Sequence, residues 1–259
     1  VPTTGIVQKS IVNPKLAMVF TPEAWWDIYL DAGGGFHSND ARAAIATDGV
    51  GALARAWGGE VGSRVNLWNK LDLAAALWFL YLSSEQVFDA DTGGTAPSDP
   101  TRRYGLDLEG RWAITQSWLW ADADLSLAHA TYTVDHGNGN AVALAPTQVF
   151  TAGITALHPS GLRGRIDVRH IGDRPATQDG SLTAQGYTVF DLTAAYRRGP
   201  VELTISIENL FNTTWAEAQF ATVSRLAAPP YNEGPAGVSG INFTPGNPIN
   251  IQATLTLYF

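Results

Sequence analysis

The sequence predicts an all-β protein, an antiparallel up-and-down transmembrane β-barrel, and three observations lead there. The last eleven residues alternate without a break: Ile249, Ile251, Ala253, Leu255, Leu257 and Phe259 share one face of a strand, and Asn250, Gln252, Thr254, Thr256 and Tyr258 the other. That length suits a membrane-crossing strand of about nine to eleven residues, apolar toward lipid and polar toward a watery lumen. The connections between strand-like segments alternate between short and long. The composition is poor in charge, 15%, yet holds 10% aromatics with nine Trp, where a soluble domain has about 25% charge.

Taken in order, strands are read wherever period-2 character lies between turn-rich stretches. Lys15–Thr21 is followed by a short connection, Pro22 to Ala24. Trp25–Phe36 leads into a long one, His37 to Leu53, and Ala54–Leu67 into the short Trp68 to Lys70. Leu71–Phe88 precedes the long Asp89 to Thr101, and Arg102–Trp112 the short Ala113 to Gln116. Ser117–Val134 precedes the long Asp135 to Thr147, and Gln148–His158 the short Pro159 to Gly161. Leu162–Ile171 precedes the long Gly172 to Gln185, and Gly186–Arg197 the short Arg198 to Pro200. Val201–Phe211 precedes the longest connection, Asn212 to Asn247, and Pro248–Phe259 closes the series. Tight periplasmic turns alternating with long extracellular loops mark an outer-membrane barrel. Trp25, Trp26, Trp68, Trp112, Trp118 and Trp120 flank the short turns, where a periplasmic interface belt belongs. Several middle strands exceed eleven residues and are expected to project beyond the membrane on the long-loop side.

About eleven strands is an odd number, which puts Val1 and Phe259 on opposite sides, whereas single-chain bacterial barrels have even counts. Residues 1–259 are therefore read as the C-terminal portion of a larger barrel, incomplete by itself, with Tyr258 and Phe259 as its C-terminal assembly signal.

Several function classes are set aside. A net charge of −8 offers no basic footprint for nucleic acid. Zero Cys removes disulfide scaffolds and Cys-type zinc sites. The longest apolar run, Leu73 to Leu82, is too short for a transmembrane helix. The five His are scattered, and Gly33 to Gly35 lacks nucleotide-motif spacing. Asp122 and Asp124 stand about 6.7 Å apart at strand rise, within the range of inverting glycosidase pairs. Any polar face generates such pairs, so the chain is read as no enzyme, with no cofactor and no metal.

The expected lumen face carries two charge ladders: Arg103, Asp107, Glu109 and Arg111, then Arg163, Arg165, Asp167 and Arg169. They are read as an inward salt-bridge lattice, with contact to an anionic ligand or an inserted plug as the sharper reading. One segment breaks the pattern: Trp78, Leu80 and Leu82 are apolar on the expected lumen face. Either something packs there from inside or the strand leans on a loop. Ligand contact is expected from the long loops, chiefly 212–247, 37–53 and 89–101. In the longest, Trp215, Phe220, Arg225, Tyr231 and Phe243 mix aromatics with one cation and suit a planar or anionic chelate. Packing of the loop onto its neighbours explains the same aromatics.

The segment Glu208 to Trp215, with Asn209, Leu210, Phe211, Asn212 and Trp215, resembles the C-terminal signature of TonB-dependent outer-membrane receptors. There, an Asn-Leu-Phe-Asp/Asn segment and an aromatic precede the last extracellular loop. Pro245, Gly246 and the terminal Phe259 fit that pattern. So do Asn13 to Leu16, Gly35 to Arg42, Glu60 to Gly62 and Gly186 to Asp191. Trp215 stands where Tyr is commoner. The resemblance implies about half of a 22-strand-type barrel in the outer membrane of a Gram-negative bacterium. It also implies partners: outer-membrane lipid, an N-terminal plug domain, the TonB complex, barrel-assembly machinery and a small-molecule nutrient chelate such as a ferric siderophore. Plug and N-terminal barrel strands are absent from the sequence read. The alternatives are a complete small outer-membrane pore of ten or twelve strands, or a soluble β-sandwich binding protein.

Overall fold

The computed structural model describes residues 6, 8–38, 53–84, 86–89, 94–224 and 237–259. Its strands are β1 (Lys15–Glu23), β2 (Trp26–Ser38), β3 (Leu53–Leu67), β4 (Leu71–Leu82), β5 (Gln86–Asp89), β6 (Gly94–Pro97), β7 (Thr101–Thr115), β8 (Leu119–Tyr132) and β9 (Gln148–Leu157). They continue with β10 (Leu162–Ile171), β11 (Arg174–Pro175), β12 (Thr183–Ala184), β13 (Tyr187–Arg198), β14 (Val201–Glu208), β15 (Ala216–Ser224), β16 (Val238–Pro245) and β17 (Asn250–Leu257).

Eleven strands form one antiparallel sheet in the order β1-β2-β3-β4-β7-β8-β9-β10-β13-β14-β17. Each sheet strand pairs with the next sheet strand along the chain, which is the up-and-down topology the sorted loops predicted. The pairs β5–β6, β11–β12 and β15–β16 are separate hairpins inside three long connections. The expected strand Leu71–Phe88 is thus two elements, because the chain leaves the sheet at Ser83. There the Ser83 hydroxyl accepts the Arg55 N–H at 2.8 Å and closes the end of the β3–β4 ladder.

The sheet has two ends. β1 pairs with β2 alone and β17 with β14 alone. The closed barrel of ten or twelve strands does not form, because β1 and β17 do not pair. With an odd number of alternating strands, β1 and β17 run the same way, so a seam between them would be parallel. Nor is there a sandwich: among the described residues only Ala54, Tyr132, Val142, Ala176, Ala184 and Val189 are buried apolar side chains. No dry core of the kind two packed sheets require can be assembled from them.

Register assigns the faces, since directly opposed residues point the same way. One cross-strand row runs Met18, Leu30, Val61, Leu77, Leu106, Leu127, all apolar. Leu77 is 59% exposed and Leu255, on the same face, 64%. A row on the opposite face runs Asn66, Asp72, Arg111, Asp122, Gly153, Asp167, Asp191. A single sheet with one greasy and one charged face fits a wall between lipid and water. On β7 the outward aromatics Tyr104 and Trp112 lie eight positions apart, about 27 Å along the strand. That span brackets an apolar band with an aromatic at each rim.

The short turns lie together at one end of the sheet. At the β3–β4 turn Trp68 and Asn69 both have positive φ, 56° and 53°, and Lys70 N–H donates to Leu67 C=O at 3.0 Å. These are features of a type I′ turn, whose twist matches the flanking strands. A left-handed Trp is uncommon and costs about 1–2 kcal/mol, and this one leaves its indole exposed. Trp120 departs from the expected belt: it opposes Ala113 and Thr155 and so faces inward. Trp118 instead packs edge-on against His158 at the next turn, with ring centroids 5.1 Å apart.

Candidate functional site: the charged wall and the loop base

The inward face is self-neutralising in patches. The Arg165 guanidinium on β10 donates to both Asp122 oxygens on β8, at 2.7 and 2.9 Å, and to Thr155 on β9 at 2.7 Å. Its Nε reaches Asp167 at 2.5 Å. The fork crosses β9 at Gly153, where a Cβ would lie 2.2 Å from Nη2. Gly153 is therefore what lets one arginine span three strands. Arg163 pairs with Glu202, Arg111 with Glu109 at 2.6 Å, and Asp107 accepts from Ser126 at 2.6 Å. Arg103 lies on the same face, opposite Leu80 and Ala130. The Arg165–Asp122 contact ties the β10 ladder to β8, and Asp122 stands opposite Arg111 of the β7 ladder in the cross-strand register. Both Asp122 oxygens are occupied as acceptors of the Arg165 fork.

Trp78 and Leu80 also have neighbours within the sheet. They lie over glycines of the adjoining strands: a Cβ on Gly105 would come 2.5 Å from the Trp78 ring, and one on Gly58 3.4 Å from Leu80. The sheet itself covers part of their apolar surface, and both stay half-buried. The Trp78 Nε1 has no hydrogen-bond partner.

Arg169, the last cation of its ladder, has another partner. Its guanidinium lies 5.3 Å from the Trp215 ring centroid and 5.9 Å from that of Tyr187, and the two rings are 4.7 Å apart. Trp215 Nε1–H also donates to Asn247 C=O at 3.1 Å. Sequence reasoning grouped Trp215 with Arg225 and missed Tyr187 and Arg169 as its neighbours. Arg225 and Tyr231 lie outside the described residues. Phe220 and Phe243 sit on the β15–β16 hairpin but on opposite faces, since Phe243 opposes Gln219 whereas Phe220 opposes Asn242. Both are exposed. The described members of the five-residue group therefore do not converge on one point.

What closes the base of the longest connection is Asn209, 2% exposed with φ 52°. Its side chain donates to Thr213 C=O at 2.8 Å and Asn247 C=O at 3.0 Å, and accepts the Thr213 N–H at 2.8 Å. Its own N–H donates to Asp191 at 2.8 Å. Asn212, φ 50°, accepts the Ile249 N–H at 3.0 Å. Asn tolerates the left-handed conformation and carries a local acceptor, so the Asn209–Asn212 spacing is a loop clasp. Gln219 extends it, exchanging two hydrogen bonds with the Gln185 backbone at 3.0 and 2.8 Å. Further round, Leu144 N–H donates to Pro175 C=O at 2.7 Å and Ala141 N–H to Gln178 C=O at 3.0 Å. In that loop the Asp179 carboxyl is lowered to about 2, first by the Thr177 hydroxyl and then by the Ser181 N–H and hydroxyl. No group of three or more potential metal ligands occurs among the described residues.

A protein family described as TonB dependent receptor-like, beta-barrel, matches residues 2–210. The chain belongs to that family. Solved receptor structures superimpose on it at low identity. The ferric yersiniabactin uptake receptor FyuA from Yersinia pestis matches with a TM-score of 0.67 at 16% identity, covering 95% of this chain and 37% of that one. The ferric-catecholate import receptor Fiu from Escherichia coli K12 gives 0.69 at 18%, covering 95% and 34%. The copper transporter OprC gives 0.69 at 16%, covering 95% and 39%. The chain thus spans little more than a third of their length. No curated protein sequence matches it. At these identities the likeness establishes the receptor-barrel fold, and it frames the charged inner wall and the clasped loops as parts of a TonB-dependent receptor barrel.

Proposed function

We propose that the chain forms the C-terminal portion of the barrel of an outer-membrane active-transport receptor, importing a scarce nutrient such as a ferric siderophore or other iron chelate. The observation that carries this reading is the open eleven-stranded sheet with one lipid-suited and one charged face. Superposition on import receptors covers 95% of this chain. In this reading residues 1–259 are one part of a 22-strand-type wall in a Gram-negative outer membrane. The plug domain, the TonB complex and the barrel-assembly machinery act on the whole receptor, and Tyr258 and Phe259 serve assembly. The chain is a transport component and not an enzyme. Trp215, Phe220 and Phe243 are the described residues of the proposed ligand-contact loop. The lumen ladder of Arg103, Asp107, Glu109, Arg111, Arg163, Arg165, Asp167 and Arg169 shapes the wall that cargo and plug meet.

The test is uptake. A deletion strain is complemented with the whole receptor gene and supplied with labelled ferric chelates, or with copper, as separate arms. Energy-dependent accumulation of a ferric chelate is expected. Accumulation of copper alone would assign the cargo of the OprC type, and no accumulation of any metal complex would overturn the import reading.

A further inference from the structure

The outward face holds basic side chains as well as hydrocarbon. The outward positions of β2, β3, β4, β7, β8, β9, β10, β13, β14 and β17 contain no Asp or Glu. They do contain Arg55, Arg102, His129 and His170, all toward the long-loop end, and Arg198 at the short-turn end. This contrasts with the inner wall, where Arg111, Arg163 and Arg165 each face a carboxylate. Arg55 and Arg102 have no carboxylate partner among the described residues. The Arg102 Nε–H donates to the Thr131 hydroxyl at 3.3 Å, and Arg55 and Arg102 are both exposed residues.

Register builds a patch around them. Trp57, Tyr81, Arg102 and Thr131 form one cross-strand row, with Arg55 two positions above Trp57 on the same face. The next row toward the membrane holds Phe79, Tyr104 and His129, and the next Leu77, Leu106 and Leu127. Tyr104 and His129 rings are 5.3 Å apart. The order from rim to middle is cation, aromatic, aliphatic, which is the polarity order of an anionic lipid from headgroup to acyl chain. Two strands of lateral offset and two residues of rise place the Arg55 and Arg102 backbones about 12 Å apart. A disaccharide headgroup with a phosphate at each end covers a span of that order.

We propose that this patch binds a phosphorylated glycolipid of the outer leaflet, with Arg55 and Arg102 on its phosphates and Tyr104, Phe79 and Leu106 against its acyl chains. An acidic protein would match the cations but leave the aliphatic rows uncovered. The inference rests on the outer-membrane reading above.

The protein, purified from outer membranes and stripped of lipid in detergent, is titrated with bisphosphoryl lipid A, monophosphoryl lipid A, phosphatidylcholine or inorganic phosphate, with bound lipid read by native mass spectrometry. Each surface cation contributes about fivefold to anionic-lipid affinity. R55Q/R102Q is therefore expected to bind the bisphosphoryl lipid about thirtyfold more weakly, each single variant about fivefold more weakly, and R55K/R102K close to wild type. R198Q, at the opposite rim, is expected to bind normally, and phosphatidylcholine to bind weakly to all. Unchanged affinity in folded R55Q/R102Q, or in both single variants should the double variant not fold, would overturn the proposal. Phosphatidylcholine binding as tightly as lipid A, or displacement of the lipid by inorganic phosphate at equal concentration, would do the same. Folding is read from heat-modifiable migration, and location from fractionation. Loss of lipid selectivity in a protein that fractionates with outer membranes rejects the patch alone, whereas absence from that fraction rejects both readings.

Discussion

The Arg165–Asp122 contact is the cross-link on which the inner wall most depends, and its worth can be worked from the geometry. The pair is bidentate, at 2.7 and 2.9 Å, with Arg165 38% and Asp122 32% exposed. A well-buried charged hydrogen bond contributes about 1.5–3 kcal/mol, and a fully exposed ion pair about 0.2–1 kcal/mol. At one-third exposure the coupling should fall between, at about 1.5 kcal/mol. Arg165→Met loses the Asp167 and Thr155 bonds as well, and leaves Asp122 and Asp167 in a row with Asp72 and Asp191 whose one remaining cation is Arg111. Its total cost should be about 2–3 kcal/mol. Arg165→Lys keeps the charge without the fork and should cost about 1 kcal/mol. The assay is a double-mutant cycle of Arg165→Met and Asp122→Asn, read by reversible urea unfolding in lipid vesicles with Trp fluorescence. A coupling energy below about 0.3 kcal/mol, the level of additivity between independent sites, would refute the view that the ladders form a cohesive lattice.

Three further outcomes are expected. Gly105→Val would place a Cβ 2.4 Å from Leu127 C=O and 2.5 Å from the Trp78 ring. It should destabilise by about 1–3 kcal/mol, and Trp78→Ala should relieve only part of that, because the carbonyl cannot move aside; full rescue would contradict the account. Trp215→Ala removes the ring contact with Tyr187 and the bond to Asn247, so amide exchange at Gly246 should rise about tenfold while the sheet is unaffected. An unchanged rate would mean that Trp215 does not hold the loop base. The Asp179 carboxyl should titrate by NMR near a pH of about 2, below the ordinary 3.8, because the Thr177 hydroxyl favours its charged form. The loop stabilisation it gives is then complete above pH 3.8 and lost as pH falls through about 2. Thr177→Val should raise the midpoint, and a wild-type midpoint at 3.8 would contradict the hydrogen-bond geometry.

The parts of this fold that were legible from sequence are those governed by period and by local turn chemistry. Leu255 and Thr254 announce their faces because neighbouring strand residues point oppositely, and a one-residue slip would invert both. The sorted loops gave the topology because hairpin ends need few residues and Asn212 to Asn247 supplies many. What depends on partners far along the chain was not legible. Arg169 and Trp215 meet only because the clasp at Asn209 folds the loop back over β13. Trp78 on the inner face read as an anomaly because its partner, Gly105, belongs to another strand. Trp120 was placed in the belt by proximity to a turn, though its parity with Asp122 already said inward. The break at Ser83 was hidden because residues 71–88 carry strand-forming side chains on both sides of it. In the candidate site, the Asn209–Asn212 spacing is the visible signal for a clasp, while its partners Thr213, Asn247 and Ile249 are set by the fold.

The most direct measurement is single-cysteine accessibility along β14 and β17 in outer-membrane preparations, where residues 1–259 contribute no Cys of their own. Leu203, Thr204, Ile205, Gln252, Ala253, Thr254 and Leu255 are replaced one at a time and exposed to a bulky water-soluble maleimide or to a lipid-partitioning quencher. The account predicts strict alternation: positions 204, 252 and 254 labelled from the aqueous lumen, and 203, 205, 253 and 255 quenched from lipid. Uniform aqueous labelling of both faces, or alternation of the opposite sense, would contradict the placement of this sheet as a barrel wall between membrane and lumen.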